Sequence, residues 1–164
     1  MKWSKLVANL VGNATSAILD LSPGEVYADR DGFRIERRQL LEAFAVMRLL
    51  RLTPVALPGV DVRLLRFGLR LPSRIVQPII RRVVAGARGR KDPSLRLHAG
   101  SGSGPSEVEW LNGVVAREAE RLGRKAPVNR SLTELVGEVL ADPERRAWFR
   151  GRPDRLAAEI SPPG

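Results

Sequence analysis

The sequence predicts an all-α protein, a helical bundle of about six to seven helices. Three observations predict it. Apolar residues recur at i, i+3, i+4 and i+7 along most of the chain, the period of a single helix face. Helix stop and start signatures separate the periodic stretches, among them Ser22-Pro23-Gly24, Thr53-Pro54, Ser106-x-x-Glu109 and Asp142-Pro143-Glu144. No stretch alternates apolar and polar residues as a half-buried strand would, and no internal repeat is visible.

The first helix is expected over Lys2 to Leu21. Trp3, Leu6, Val7, Leu10, Val11, Ala14, Ala17, Ile18 and Leu21 share one face. Lys5, Asn9, Asn13 and Ser16 form a polar stripe on the other. Asparagine is a poor mid-helix residue because its side chain competes for backbone hydrogen bonds. Two asparagines stacked above a lysine at about 6 Å spacing can hold a small polyoxygenated ligand, or can simply be a solvated face. Residues 25–32 read as a loop or short turn. A second helix runs from about Phe33 to Arg51, with Leu40, Leu41, Phe44, Met47 and Leu50 on its apolar face. Pro54 and Pro58 break it.

Asp61 is placed to cap a third helix, about 61–70, and Ser73 a fourth, about 74–86, with Pro78 near its first turn. Arginines 63, 66, 70, 74, 81 and 82 decorate this pair, their stems available to cover apolar surface. Residues 86–105 are the least regular, and their Gly-Ser run reads as a connection. The order of a phosphate-binding P-loop is missing there. Ser106 opens a fifth helix, which Gly123 ends. Asn129 or Ser131 caps a sixth, to about Leu140, and Asp142 a short seventh, to Phe149. Arg152-Pro153-Asp154 begins a last turn.

The chain has 164 residues, 43% of them hydrophobic. That is enough for one domain burying roughly 70% of its unfolded surface. It has no cysteine and one histidine, His98, so neither a thiolate or zinc site nor a Ser-His pair is supported, and no metal is expected. Lys, Asn, Ser and Glu remain for chemistry. No apolar run is long enough to span a membrane, and the asparagines at 9 and 13 interrupt any signal-peptide core. The net charge of +10 is concentrated in residues 34–96, which carry 15 basic and 4 acidic groups. An anionic partner or a solvated face both account for this. Nucleic acid is disfavoured, since there is no base-reading motif and few aromatics for stacking.

Ser106-Glu107-Val108-Glu109-Trp110-Leu111-Asn112-Gly113, followed by Gly123 and Ala126-Pro127-Val128-Asn129, resembles the C-terminal domain of ketopantoate reductases. That domain has a Thr/Ser-Glu-hydrophobic-acidic-x-x-Asn-Gly motif, then a glycine and Pro-x-Asn. Trp3-x-Lys5-Leu6-x-x-Asn9-x-x-x-Asn13 resembles the same family's catalytic helix, and Lys91-Asp92-Pro93-Ser94 its Lys-x-Pro-Ser segment. The three stretches stand in the family's order and cover residues 2 to about 140.

The resemblance implies the all-α fold of that domain, which is like the C-terminal domain of 6-phosphogluconate dehydrogenase. It implies Lys5 as general acid to a ketone oxygen, Asn9 and Asn13 as substrate hydrogen-bonders, Ser94 as carboxylate binder and Glu107 as a site residue near Lys5. Asn112 and Asn129 are implied to be structural, a helix–helix contact and a cap. Residues 1–150 would be the substrate-binding and catalytic domain and 151–164 a short tail. The family's N-terminal dinucleotide-binding domain, with its Gly-x-Gly-x-x-Gly after a first strand, has no counterpart among these residues. NADPH is therefore expected only if a separate dinucleotide-binding half supplies it. The expected substrate is a small 2-keto acid of the 2-dehydropantoate type. The expected partner is a second copy of the chain or a separate Rossmann-domain chain, with no membrane partner, in the cytoplasm. Two functions follow: the substrate half of an NADPH-dependent 2-keto acid reductase, or a non-catalytic helical module for dimerisation.

Overall fold

A computed structural model describes residues 2–88 and 107–160, and the chain is all-α there apart from one small hairpin. In order, the elements are α1 (Lys2–Leu10), α2 (Ala14–Leu19), α3 (Pro23–Ala28), α4 (Arg30–Leu49), β1 (Ala56–Leu57), β2 (Val60–Asp61), α5 (Val62–Gly68) and α6 (Ser73–Arg88). After the gap come α7 (Glu107–Trp110), α8 (Asn112–Arg121), α9 (Pro127–Ala141), α10 (Pro143–Phe149) and α11 (Pro153–Ile160).

The twenty-residue α4 is the axis, packing against α1, α2, α3, α8, α9 and α11. Asp29 caps it, its Oδ1 accepting from the N–H groups of Asp31 and Gly32 at 2.8 Å each. Phe33, Leu40, Ala43 and Met47 point inward at helical spacing. One core cluster joins α4 to α1, α5, α6 and α8 through residues such as Val7, Leu10, Leu40, Met47, Val76 and Val115. A second joins α2, α9, α10 and α11 through Ile18, Leu19, Leu132, Val136, Phe149 and Leu156.

Several local expectations change. The stretch Lys2–Leu21 is not one helix. It breaks at Gly12, whose φ of 63° lies in the left-handed region and whose missing Cβ would stand 2.8 Å from Pro23 Cβ. Residues 25–32 are mostly helical: Ser22 and Glu25 form a reciprocal capping box with Pro23 in the first turn of α3. The chain does contain strand, since Ala56↔Asp61 and Leu57↔Val60 pair antiparallel. Two-residue strands are too short to show a period in the sequence. Pro78 lies inside α6, because the helix starts at Ser73. Asp61 does cap α5, accepting from Arg63 N–H at 2.9 Å.

The helix expected after Ser106 is interrupted at Leu111, and Ser106 itself lies outside the described residues. Glu109, expected to close its capping box, pairs with Arg117 at 3.1 Å. The sixth expected helix begins at Pro127, so neither Asn129 nor Ser131 is its cap. Its free N–H groups at Val128 and Asn129 are taken by the Glu42 carboxylate, 3.0 Å away in both cases. Asp142 caps α10 as expected. The segment expected as a tail carries α11, whose Leu156 and Ile160 are buried in the second core cluster.

At Gly32 the start of α4 passes close to the backbone of α3. A Cβ there would stand 2.5 Å from the Val26 carbonyl oxygen, a backbone atom that cannot swing away. Gly32→Ala is expected to destabilise by about 2 kcal/mol in urea unfolding, although alanine is the better helix former.

Candidate functional site

Lys5 and Asn9 stand four residues apart on the exposed face of α1, while Ser4, Val7 and Leu10 on the opposite face are buried. That face is fixed in part by Ser4, whose Oγ accepts the Val55 N–H at 3.0 Å. The bond ties α1 to the chain just before the hairpin. Leu57 and Val60 of the hairpin line the same cleft as Lys5 and Asn9. The third wall is α6. Gln77 Nε2 donates to the carbonyls of Tyr27, Ala28 and Asp29 at 3.2–3.3 Å, holding α6 against the end of α3. Arg37 donates to the carbonyls of Leu69 (2.9 Å) and Leu71 (3.3 Å) and to Ser73 Oγ (3.3 Å), fixing the α5–α6 turn on α4.

The result is an open cleft of about 400 Å³, within the range of small-molecule sites. Lys5, Asn9, Leu57, Val60 and Val83 are among its walls, and Lys5 is the one charged side chain among the described residues that line it. Asp61, at the end of the hairpin, is held by the Arg63 guanidinium at a pKa of about 2 instead of 3.8. The folded value lies below the unfolded one. Whatever this pair adds to stability is thus fully present above about pH 4 and fades as pH falls through about 2. A carboxyl titration by NMR should return a midpoint for Asp61 of about 2.

The other expected site residues fall differently. Asn13 lies beyond the Gly12 break, so the helical register that would stack it over Asn9 is lost. Its side chain is buried, and its Oδ1 has no hydrogen-bond partner. Ser16, expected on the same polar stripe, is fully buried with an unpartnered Oγ. Ser94 lies outside the described residues, as do His98 and the Gly-Ser run. Glu107 opens the backbone of α7, and its side chain is outside the description. Of the described side chains in the set, the structure brings together Lys5 and Asn9 and sets Asn13 apart.

A buried polar chain runs along α4, and of its members the sequence reading singled out Asn112 and Asn129 but not Glu36, Gln39 or Thr15. The Glu36 carboxylate accepts the Gly12 N–H at 2.9 Å, and the Thr15 hydroxyl, Tyr27 hydroxyl and Gln39 Nε2 at 2.6 Å each. Gln39 Oε1 accepts Asn112 Nδ2 at 2.7 Å, and Asn112 Nδ2 also donates to Asn129 Oδ1 at 3.0 Å. Asn129 Nδ2 in turn donates to Gln39 O at 3.0 Å and Glu42 Oε2 at 2.7 Å. Every link but the half-buried Glu42 is a buried residue. Asn112 is the helix–helix contact expected of it. The signal for Glu36 was available: it sits three after Phe33 and four before Leu40, inside the apolar stripe of α4.

Comparisons with known proteins agree with this architecture. The family described as the ketopantoate reductase PanE/ApbA C-terminal domain matches residues 1–140. The chain belongs to the ketopantoate reductase family. The 2-dehydropantoate 2-reductases of Streptococcus pyogenes serotypes M1 and M18 are 26% identical to it over 134 residues. That alignment covers 82% of this chain and 38% of the relatives. A crystal structure of the PanE/ApbA family ketopantoate reductase from Ralstonia eutropha JMP134 superposes with a TM-score of 0.63 at 26% identity. It covers 88% of this chain and 41% of that one. The chain therefore spans about two-fifths of the length of these family members. Among the described residues no cluster of His, Cys, Asp or Glu could hold a metal ion, and no helix is long and apolar enough to cross a membrane.

Proposed function

We propose that the chain is the substrate-binding half of an NADPH-dependent 2-keto acid reductase acting on 2-dehydropantoate or a close relative. The observation that carries the reading is the cleft in which Lys5 and Asn9 project together from α1. The ammonium of Lys5 meets the substrate ketone oxygen. Asn9, one turn away, donates to or accepts from the neighbouring oxygens. As a hydride adds to the ketone carbon, the carbonyl π pair moves to oxygen. Lys5 stabilises the growing alkoxide and delivers the proton that completes the alcohol. In this proposal Ser94 binds the substrate carboxylate and Glu107 lies near Lys5.

Asn13 joins the substrate only if the Gly12 junction reseats when ligand binds. Unchanged keto acid binding by Asn13→Ala would remove it from the set. A nicotinamide dinucleotide supplies the hydride. No glycine-rich strand-to-helix turn exists among the described residues to cradle its pyrophosphate, so the proposal assigns that task to another half, on a separate chain or domain.

Reconstitution tests the proposal. The chain is mixed with the dinucleotide-binding domain of a ketopantoate reductase, and NADPH oxidation is followed with 2-dehydropantoate. Turnover that needs both halves is expected. No turnover with a half that binds NADPH and forms a complex with this chain would contradict it.

One observation favours a second role. Ile75, Ile79 and Val83 form an exposed stripe along α6, each more than half uncovered. A second copy of the chain, or the dinucleotide-binding half, would cover it. Ile79→Glu is then expected to shift sedimentation towards a smaller species.

A further inference from the structure

A second cleft lies where α8 gives way to α9. Its volume is about 570 Å³, and among the described residues it shares no lining with the Lys5 cleft. Ala116 and Ala126 line it and are buried, so its floor is apolar and set by small side chains. Arg124, Lys125, Arg130 and Glu120 line it and are exposed, so they stand at its rim. Among the described lining residues, three cations against one carboxylate leave two positive charges in excess. Arg130 Nη2 lies 3.0 Å from Glu120 Oε2, an exposed pair of the kind that contributes little and parts readily. The side chains of Arg124 and Lys125 have no hydrogen-bond or ion-pair partner among the described residues. The loop that carries them is fixed at both ends. Gly123 N–H donates to Glu120 O and Arg124 N–H to Ala119 O, each at 2.9 Å, which closes the end of α8. The Glu42 carboxylate closes the start of α9. A fixed backbone thus presents both cations, and a ligand need not order the loop first.

We infer that this cleft binds a small phosphate monoester, its phosphoryl oxygens on Arg124 and Lys125 and its organic body over Ala116, Ala126 and Pro127. A phosphate monoester carries about −1.5 to −2 charge near pH 7, which matches the excess at the rim. Its terminal oxygens accept from several donors at once, and a guanidinium meets two of them side by side. Arg130 turns from Glu120 to the ligand at little cost, because the pair it leaves is exposed. The inference goes beyond the keto acid reading and stands or falls without it.

Phenyl phosphate is the probe, titrated into the 164-residue chain at low salt and followed by ¹H–¹⁵N NMR. Benzoate, a monoanion on the same ring, is the control. Saturable shifts confined to residues 116–130 are expected, with benzoate about fivefold weaker. Arg124→Gln and Lys125→Gln remove one charge each and should each weaken phenyl phosphate about fivefold. Glu120→Gln removes the competing carboxylate and should tighten it about threefold. All three positions are exposed, so the urea midpoint of each variant should match that of the unaltered chain. Four results would each overturn the site: shifts that do not saturate by about 10 mM, shifts spread equally over the arginines of α5 and α6, benzoate binding as tightly, or binding that neither Arg124→Gln nor Lys125→Gln weakens.

Discussion

Replacing Glu36 with alanine is expected to cost about 4 kcal/mol of folding stability, a large part of the roughly 5–15 kcal/mol that holds a domain together. Four buried donors converge on this carboxylate, from Gly12, Thr15, Tyr27 and Gln39. Hydrogen bonds to a charged acceptor contribute about 1.5–3 kcal/mol each, though not additively. Donors left buried without an acceptor lose the water they had in the unfolded chain and gain nothing in exchange. Water entering the vacated space would recover part of that loss. Glu36→Gln should fall between, near 2 kcal/mol, because its amide turns an NH₂ towards donors that need an acceptor. Urea unfolding with an unchanged slope measures both. A cost below about 1 kcal/mol for the alanine variant would show that the Gly12 junction is held by packing alone.

The second large effect concerns rate. In the reconstituted reductase, Lys5→Met is expected to lower kcat by about a hundred- to ten-thousand-fold, the range for loss of a positioned general acid that also stabilises an oxyanion. Lys5 is exposed on α1, so the variant should unfold at the same urea concentration as the unaltered chain. That control separates a chemical role from a structural one. A fall in kcat of less than about threefold would place the proton donor elsewhere.

What the sequence disclosed follows the range of the interactions involved. Asp61 and Asp142 announce their caps because the cap bond closes within three residues, and both are seen. The period of α4 is legible because twenty residues sample its face many times. Lys5 and Asn9 share a face because they fall within one unbroken helix. The reading fails where a distant group decides. The Gly12 break is made by Pro23 and Glu36, eleven and twenty-four residues away, and it carries Asn13 and Ser16 off the expected stripe into the interior. The start of α9 is capped by Glu42, eighty-six residues earlier, so the nearby Asn129 and Ser131 mislead. The hairpin that completes the cleft has two-residue strands, too short for any periodicity to register. Family resemblance supplied what periodicity could not, namely which polar residues of α1 to regard as chemical.

The most direct measurement is the footprint of 2-dehydropantoate on the backbone amides of the chain, followed by ¹H–¹⁵N NMR. Saturable shifts centred on Lys5 to Asn9 and on Leu57 to Val60, absent in Lys5→Met, are the predicted result. Shifts centred elsewhere on the bundle, or a spectrum that does not change at millimolar ligand, would contradict the assignment of the Lys5 cleft as the keto acid site.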